Sequence, residues 1–164
     1  MSVCCQTLTA EHWEAVRTIF ADGIATGLAT FETEVPEWEA WDRGHLPEPR
    51  LVAVDAGEVV GWAALSPVSG RCIYGGVSEV SVYVAALARG RGIGRLLLLE
   101  LVRASERAGI WTLQAGIFTE NQASIRLHRS CGFREVGVRE RLGVLHGVWR
   151  DVLLMERRSR VVGV

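Results

Sequence analysis

Residues 79–95 read Glu79-Val80-Ser81-Val82-Tyr83-Val84-Ala85-Ala86-Leu87-Ala88-Arg89-Gly90-Arg91-Gly92-Ile93-Gly94-Arg95, and this stretch decides the fold. Val80, Val82 and Val84 alternate with Glu79, Ser81 and Tyr83, the two-residue period of a strand with one face turned to a core. Beyond it Leu97, Leu98, Leu101 and Val102 recur at helical spacing as far as Gly109, a residue suited to ending a helix. Three glycines, Gly90, Gly92 and Gly94, lie between the two patterns. A strand that turns through such glycines into a helix leaves N–H groups unshielded at the positive end of the helix dipole, a geometry that binds phosphate. Glycine also serves such turns for purely conformational reasons, so the turn alone leaves both readings open. Two familiar phosphate loops do not fit. GxxxxGK needs a lysine, which the chain lacks, and G-x-G-x-x-G needs glycine where Arg95 stands.

Working outward, Thr9 precedes a stripe of Trp13, Val16, Ile19/Phe20 and Ile24, which predicts a capped helix over residues 10–25. Residues 34–49, rich in proline, tryptophan and glutamate, read as a surface segment with a short helix. Residues 51–54 and 59–65 flank the turn Asp55-Ala56-Gly57-Glu58 and read as a hairpin. Downstream come a strand over 112–117, a helix over 121–131 stopped by Gly132, and strands over 135–144 and 148–156 joined through His146-Gly147. The class is α/β, with a strand–helix–strand–helix unit in the middle.

The 164 residues suit one domain, expected over residues 1–158 with a short tail at 159–164. With 49% hydrophobic and 23% charged residues the composition is that of a globular protein with a real core, not of a disordered chain. The longest apolar runs, residues 59–65 and 96–99, fall far short of the roughly 20 needed to cross a bilayer, and no basic start marks a signal peptide. A cytoplasmic protein without membrane contact is expected. The four cysteines and four histidines show no metal-ligand spacing, so no metal is expected. Residues 1–88 hold four arginines against twelve acidic residues, and residues 89–164 fourteen against seven. The asymmetry is either an ordinary solvated surface or the footprint of a polyanionic ligand on the second half. Nucleic acid is disfavoured, because aromatic residues for base stacking are sparse between Arg89 and Arg141.

The Arg89-Gly90-Arg91-Gly92-Ile93-Gly94 turn, with Ser81-Val82-Tyr83-Val84 before it and a long helix after it, resembles the Arg-x-x-Gly-x-Gly signature of the Gcn5-related N-acetyltransferases. Asn121 in Thr119-Glu120-Asn121-Gln122-Ala123-Ser124 and the stretch Leu127-His128-Arg129-Ser130-Cys131-Gly132-Phe133 match further family segments. The resemblance implies an acyl-CoA N-acyltransferase fold, a central mixed and mostly antiparallel sheet flanked by helices. It also implies acetyl-CoA as co-substrate. The pyrophosphate would lie on Arg89–Arg95, that is Arg89, Gly90, Arg91, Gly92, Ile93, Gly94 and Arg95. The pantetheine would lie along Val82, Tyr83 and Val84, and the site would be completed by Asn121, Ser124, His128 and Ser130. Most members carry a tyrosine acid where this chain has His128.

Thr30-Phe31-Glu32-Thr33-Glu34, Glu79–Val84 and His146-Gly147-Val148-Trp149-Arg150-Asp151-Val152 narrow the resemblance to the phosphinothricin and methionine sulfoximine N-acetyltransferase branch. That branch implies a small amino-acid-like acceptor, acetylated on its α-amino group in a detoxification or resistance role. Glu79 would be the general base and His146 would relay a proton or orient the substrate. From the residues alone, Glu79 is equally a charged residue at a strand edge and His146 a solvated turn residue. Arg71 and Tyr74, shortly before Glu79, are expected to hold the acceptor's carboxylate, with Phe31 and Thr33 closing the pocket; Phe31 reads almost equally as plain core. The Arg71/Tyr74 loop and the Phe31–Thr33 segment are expected near an exposed edge, with Trp38 and Trp41 close in sequence, and a homodimer whose partner helps enclose the acceptor is expected. Another amine acceptor, such as a polyamine or a protein N-terminus, and an acetyl-CoA sensor without turnover are the alternatives.

Overall fold

The computed structural model describes residues 2–164 and consists of a seven-stranded sheet with helices on both faces. In chain order the elements are β1 (Cys4–Thr7), α1 (Trp13–Ala25), α2 (Trp38–Gly44), β2 (Arg50–Asp55), β3 (Glu58–Pro67), β4 (Val77–Val84), α3 (Ile93–Arg107), β5 (Thr112–Phe118), α4 (Gln122–Ser130), β6 (Arg134–Leu145) and β7 (Val148–Arg158). The spatial order is β1-β2-β3-β4-β5-β7-β6. Every neighbouring pair is antiparallel except β4 and β5, whose parallel pairing needs a crossover, supplied by α3. The mixed, mostly antiparallel sheet implied by the resemblance is the one formed.

Alternation along the strands divides the core in two. Ala63 and Leu65 of β3 and Val80 of β4 turn towards Leu97, Leu98 and Leu101 of α3. Trp62 and Ala64 turn to the opposite face, against Val16, Ile19 and Phe20 of α1. Tyr83 lies on this second face, stacked on Trp62 at 4.8 Å and on Phe20 at 5.0 Å between ring centroids. Glu79, sharing the parity of Tyr83, therefore projects from the α1 side of the sheet.

The helix expected over residues 10–25 begins with a 3-10 turn at Ala10–His12, capped by Thr9, before α1 proper starts at Trp13. The short helix expected within 34–49 is α2. Its tryptophans do not form an exposed edge. Trp41 is 1% exposed, packed among Trp13, Trp38 and Trp62, and the Arg50 guanidinium lies over its ring while pairing with Asp42 at 2.5 Å. Several exposed apolar residues lie on the outer hairpin, among them Val138, Val144, Val148 and Trp149; others, such as Ile73 and Leu87, lie on loops. The last residues fold back on the body. Ser159 is buried with its hydroxyl donating to Glu106, and Arg158 donates to the carbonyls of Val162 and Gly163.

The pairing that positions the site is the shortest one in the sheet. β4 and β5 pair only through Val77–Thr112, Ser78–Leu113 and Glu79–Gln114. Past that point β4 runs on to Val84 and β5 to Phe118 with no ladder between them, and the sheet opens into a wedge.

Candidate active site

On one side of the wedge the glycine-rich turn meets the N-terminus of α3. Gly92 is the residue preceding the helix and sits at φ +79°, a conformation that any side chain would strain, and Gly90 shares it at φ +78°. No side chain caps this terminus, so the first helical N–H groups are left for another acceptor. They border a cavity of about 450 Å³ lined by Arg89, Gly90, Gly92, Ile93, Gly94 and Arg95 below, and by Val82, Tyr83 and Val84 along the open edge of β4. Gly94 packs closely, since a Cβ there would stand 3.2 Å from the Leu127 side chain, which would have to shift by a few tenths of an ångström. Arg91 turns away to pair with Asp55 at 2.7 Å. Ser130 donates to the Leu127 carbonyl and lines no cavity.

On the other side lies a cavity of about 370 Å³ with Glu79 and Gln114 where the strands part. The Gln114 amide lies 3.5 Å from Glu79 Oε1, at the long limit of a hydrogen bond. Opposite this carboxylate Gly116 presents no side chain, and a Cβ there would come 3.6 Å from Glu79 Oε1. Ala29, Val82, Tyr83, Asn121 and Ser124 line both cavities, which makes them one channel through the wedge. A thioester entering along β4 from the glycine turn would end beside Glu79.

The roof of the channel is the loop after α1, held by two side chains from distant elements. Asn121 accepts from the Ser124 N–H at 3.2 Å, capping α4, and donates to the Leu28 carbonyl at 3.1 Å. Arg150 of β7 donates to the Gly27 carbonyl at 3.0 Å and lies 4.1 Å over the Phe118 ring. Phe31 then lines the acceptor side, edge-on to Phe118 at 4.8 Å. Burial pushes the Tyr83 phenol up to about 12, against the opposing effect of a hydrogen bond with Thr30, so this ring is a neutral wall between the two cavities.

Besides Arg91 and Ser130, four more expected residues stand apart from this channel. Thr33 is exposed and lines neither cavity, while its neighbours Thr30 and Glu32 do. Arg71 and Tyr74 lie on an exposed turn leading into β4, the guanidinium 5.4 Å over the ring, and also line neither. His146 is at the exposed tip of the β6–β7 hairpin with φ +49°, followed by Gly147 at φ +79°, the pair of positive φ values that a tight two-residue turn demands. It too lines neither cavity. Among the residues that line the acceptor side without being singled out by the sequence are Gln114, Arg139 and Leu142. Period-two alternation marks Gln114 as facing one side of β5, but only the register against β4 places it beside Glu79.

His128 lines the acceptor side as well, 5% exposed, its Nδ1 2.8 Å from the Ser124 carbonyl and its ring edge-on to Phe133. A carbonyl can only accept, so Nδ1 carries the proton and Nε2 is the basic nitrogen. Burial holds its pKa below the ordinary 6.5, the bond to Ser124 opposing. The unfolded chain therefore takes up the proton first, and stability is lost as pH falls through 6.5 towards the folded-state value. Urea denaturation at pH 7.5 and pH 5.5 should show a larger drop in midpoint for the wild type than for His128→Gln, and equal drops would show that His128 does not carry this dependence.

Residues 13–133, from the start of α1 to just past α4, match the model of the acetyltransferase (GNAT) family. The phosphinothricin N-acetyltransferase of Alcaligenes faecalis is 38% identical over 151 residues, covering 87% of this chain and 76% of that protein. The L-methionine sulfoximine/L-methionine sulfone acetyltransferase of Salmonella typhimurium is 37% identical over 114 residues, 70% of this chain and 67% of that one. A GNAT superfamily phosphinothricin acetyltransferase from Sinorhizobium meliloti, solved in complex with acetyl-CoA, superposes with a TM-score of 0.87 at 31% identity, covering 96% of this chain and 89% of that one. The chain belongs to the GNAT family and is an acetyl-CoA-dependent N-acetyltransferase.

Proposed function

We propose that the acceptor is a small glutamate- or methionine-like amino acid, of phosphinothricin, methionine sulfoximine, methionine sulfone or arsinothricin type, acetylated on its α-amino group as a detoxification or resistance reaction. The observation that carries this reading is the Glu79 carboxylate on the wall of an acceptor cavity, where β4 and β5 part. The names of the relatives support the acceptor class. An α-amino group is mostly protonated at neutral pH and must lose a proton before it attacks the thioester carbon. Glu79 takes that proton, directly or through one water. As the nitrogen attacks, a backbone N–H on the open edge of β4 near Val82 stabilises the developing oxyanion, and the C–S bond then breaks to release the CoA thiol. Cys131 is buried at the end of α4 and lines neither cavity, so it is not placed to act as a nucleophile.

His146 and Arg71 enter this reading as outer residues, at the hairpin tip and at the turn before β4, that meet an acceptor at the channel mouth. The protein works in the cytoplasm as a homodimer, and the exposed apolar residues of the β6–β7 hairpin rather than Trp38 and Trp41 are the surface that supports the pairing.

An assay of thiol release with acetyl-CoA over phosphinothricin, methionine sulfoximine, methionine sulfone, arsinothricin, spermidine and a peptide N-terminus tests the proposal. Turnover of one or more amino acid analogues is expected; activity confined to spermidine or the peptide would overturn the acceptor class, and binding of acetyl-CoA without turnover would make the protein a sensor. Glu79→Gln should lower kcat by roughly 10²–10⁴-fold with acetyl-CoA affinity kept, because an amide cannot accept the proton. Retention of normal turnover would move the base elsewhere. Gly92→Val should raise the KM for acetyl-CoA strongly, since a branched side chain both strains φ +79° and blocks approach of the pyrophosphate. Unchanged KM in the folded variant would remove the turn from the cofactor site.

A further inference from the structure

The β6 wall of the acceptor cavity, which Glu32 and Glu79 also line, carries a guanidinium that no carboxylate of the described residues meets at ion-pair distance. Arg129, Arg134, Arg150 and Arg157 on β6, β7 and α4 each pair with a glutamate. Arg139 has no ion-pair or hydrogen-bond partner among the described residues, and no other lysine or arginine lines that cavity.

Its direction is built into the strand. In an unbroken strand residues three apart face opposite sides, yet Arg139 and Leu142 both line the cavity. The register of β6 against β7 shifts between Arg139 and Gly143, and Arg141 adopts φ +44°. The N–H of Arg141 donates to Asp151 Oδ1 at 2.8 Å, so the carboxylate of β7 fixes the bulge. A bulge re-aims side chains, and with this one Arg139 and Leu142, both still exposed to solvent, border the same cavity.

Resting on the acceptor class proposed above, we infer that Arg139 is a specificity-determining residue that binds an anionic group at the far end of the acceptor's side chain. Acceptors with a phosphinate or carboxylate tail are then preferred over neutral isosteres. Its place in the sheet separates tail from head. Glu79 is level with Gln114, whereas Arg139 is level with Val152 and Phe118. Three strand spacings and four residues along the strand set the two backbones on the order of 19 Å apart. After both long side chains reach inward, the gap left exceeds the two bonds from an amine to its α-carboxylate. It suits a tail several atoms further on. The guanidinium offers two parallel donors to a phosphinate or carboxylate, and a neutral sulfone cannot match that charge-assisted pairing.

Steady-state kinetics of Arg139→Gln and Arg139→Lys with phosphinothricin and with methionine sulfone, whose tail is neutral, tests this assignment. In Arg139→Gln the kcat/KM for phosphinothricin should fall roughly 10- to 100-fold, the loss residing in KM, with the sulfone changed by less than about threefold. Arg139→Lys, keeping the charge without the fork, should fall between. Equal losses on both acceptors, or no loss on either, would overturn the assignment. Calorimetric titration of phosphinothricin into wild type and Arg139→Gln in the presence of CoA reads the site without turnover. Binding lost in the variant by a protein that does not acetylate would sink the proposed reaction and keep the site. Turnover indifferent to Arg139 would keep the reaction and sink the site.

Discussion

The parting of β4 from β5 after Glu79 and Gln114 is the constraint on which the rest of this structure depends. A strand in the middle of a sheet that loses its neighbour is left with polar backbone groups that need partners. β4 remains ordered because its other edge is paired with β3 from Gly61–Val84 to Pro67–Ser78, and because Val80 and Tyr83 anchor it in the cores on its two faces. The open edge is thus rigid and unsatisfied at once. That is the condition for binding an extended, amide-bearing chain such as pantetheine by strand-like hydrogen bonds.

Every other part of the channel is arranged around that opening. The glycine turn places an uncapped helix terminus at one end of it. Asn121 serves two elements, capping α4 and holding the Leu28 carbonyl, so the loop that roofs the wedge is tied to the helix that forms its side. Arg150 ties the same loop to β7 through Gly27. The roof is therefore fixed by residues far away in sequence, and acceptor and cofactor sides are coupled through Ala29, Val82 and Tyr83, which face both.

The uneven charge distribution also gains a physical meaning. Many arginines of the second half are committed to ion pairs on the surface, where each contributes little to stability. Arg89 and Arg95 border the cofactor side and Arg139 the acceptor side. Part of the excess is therefore an ordinary solvated surface, and part borders the channel.

The sequence by itself determined what local physics encodes. Alternation in Glu79–Val84, the glycines up to Gly94 and the leucine stripe after them specify a strand, a glycine turn and a helix in that order, and the same residues carry the resemblance to the family. It also marked Phe31 and Asn121, which the structure brings to the channel. Only the tertiary structure decided which residues meet across the sheet. β1 is four residues long and carries no periodic signal, so it was invisible. Trp41, near an expected edge, became core because Arg50 and three other tryptophans close around it. Thr33, Arg71 and His146 lie close in sequence to lining residues or motifs but line neither cavity, since adjacency along a chain does not fix a side chain's surroundings. Gln114 reaches Glu79 through a register that sequence does not state, and Arg139 reaches the cavity through a bulge held by Asp151. Periodicity is a property of neighbours in sequence, whereas register and bulges are set by partners brought together only when the sheet closes.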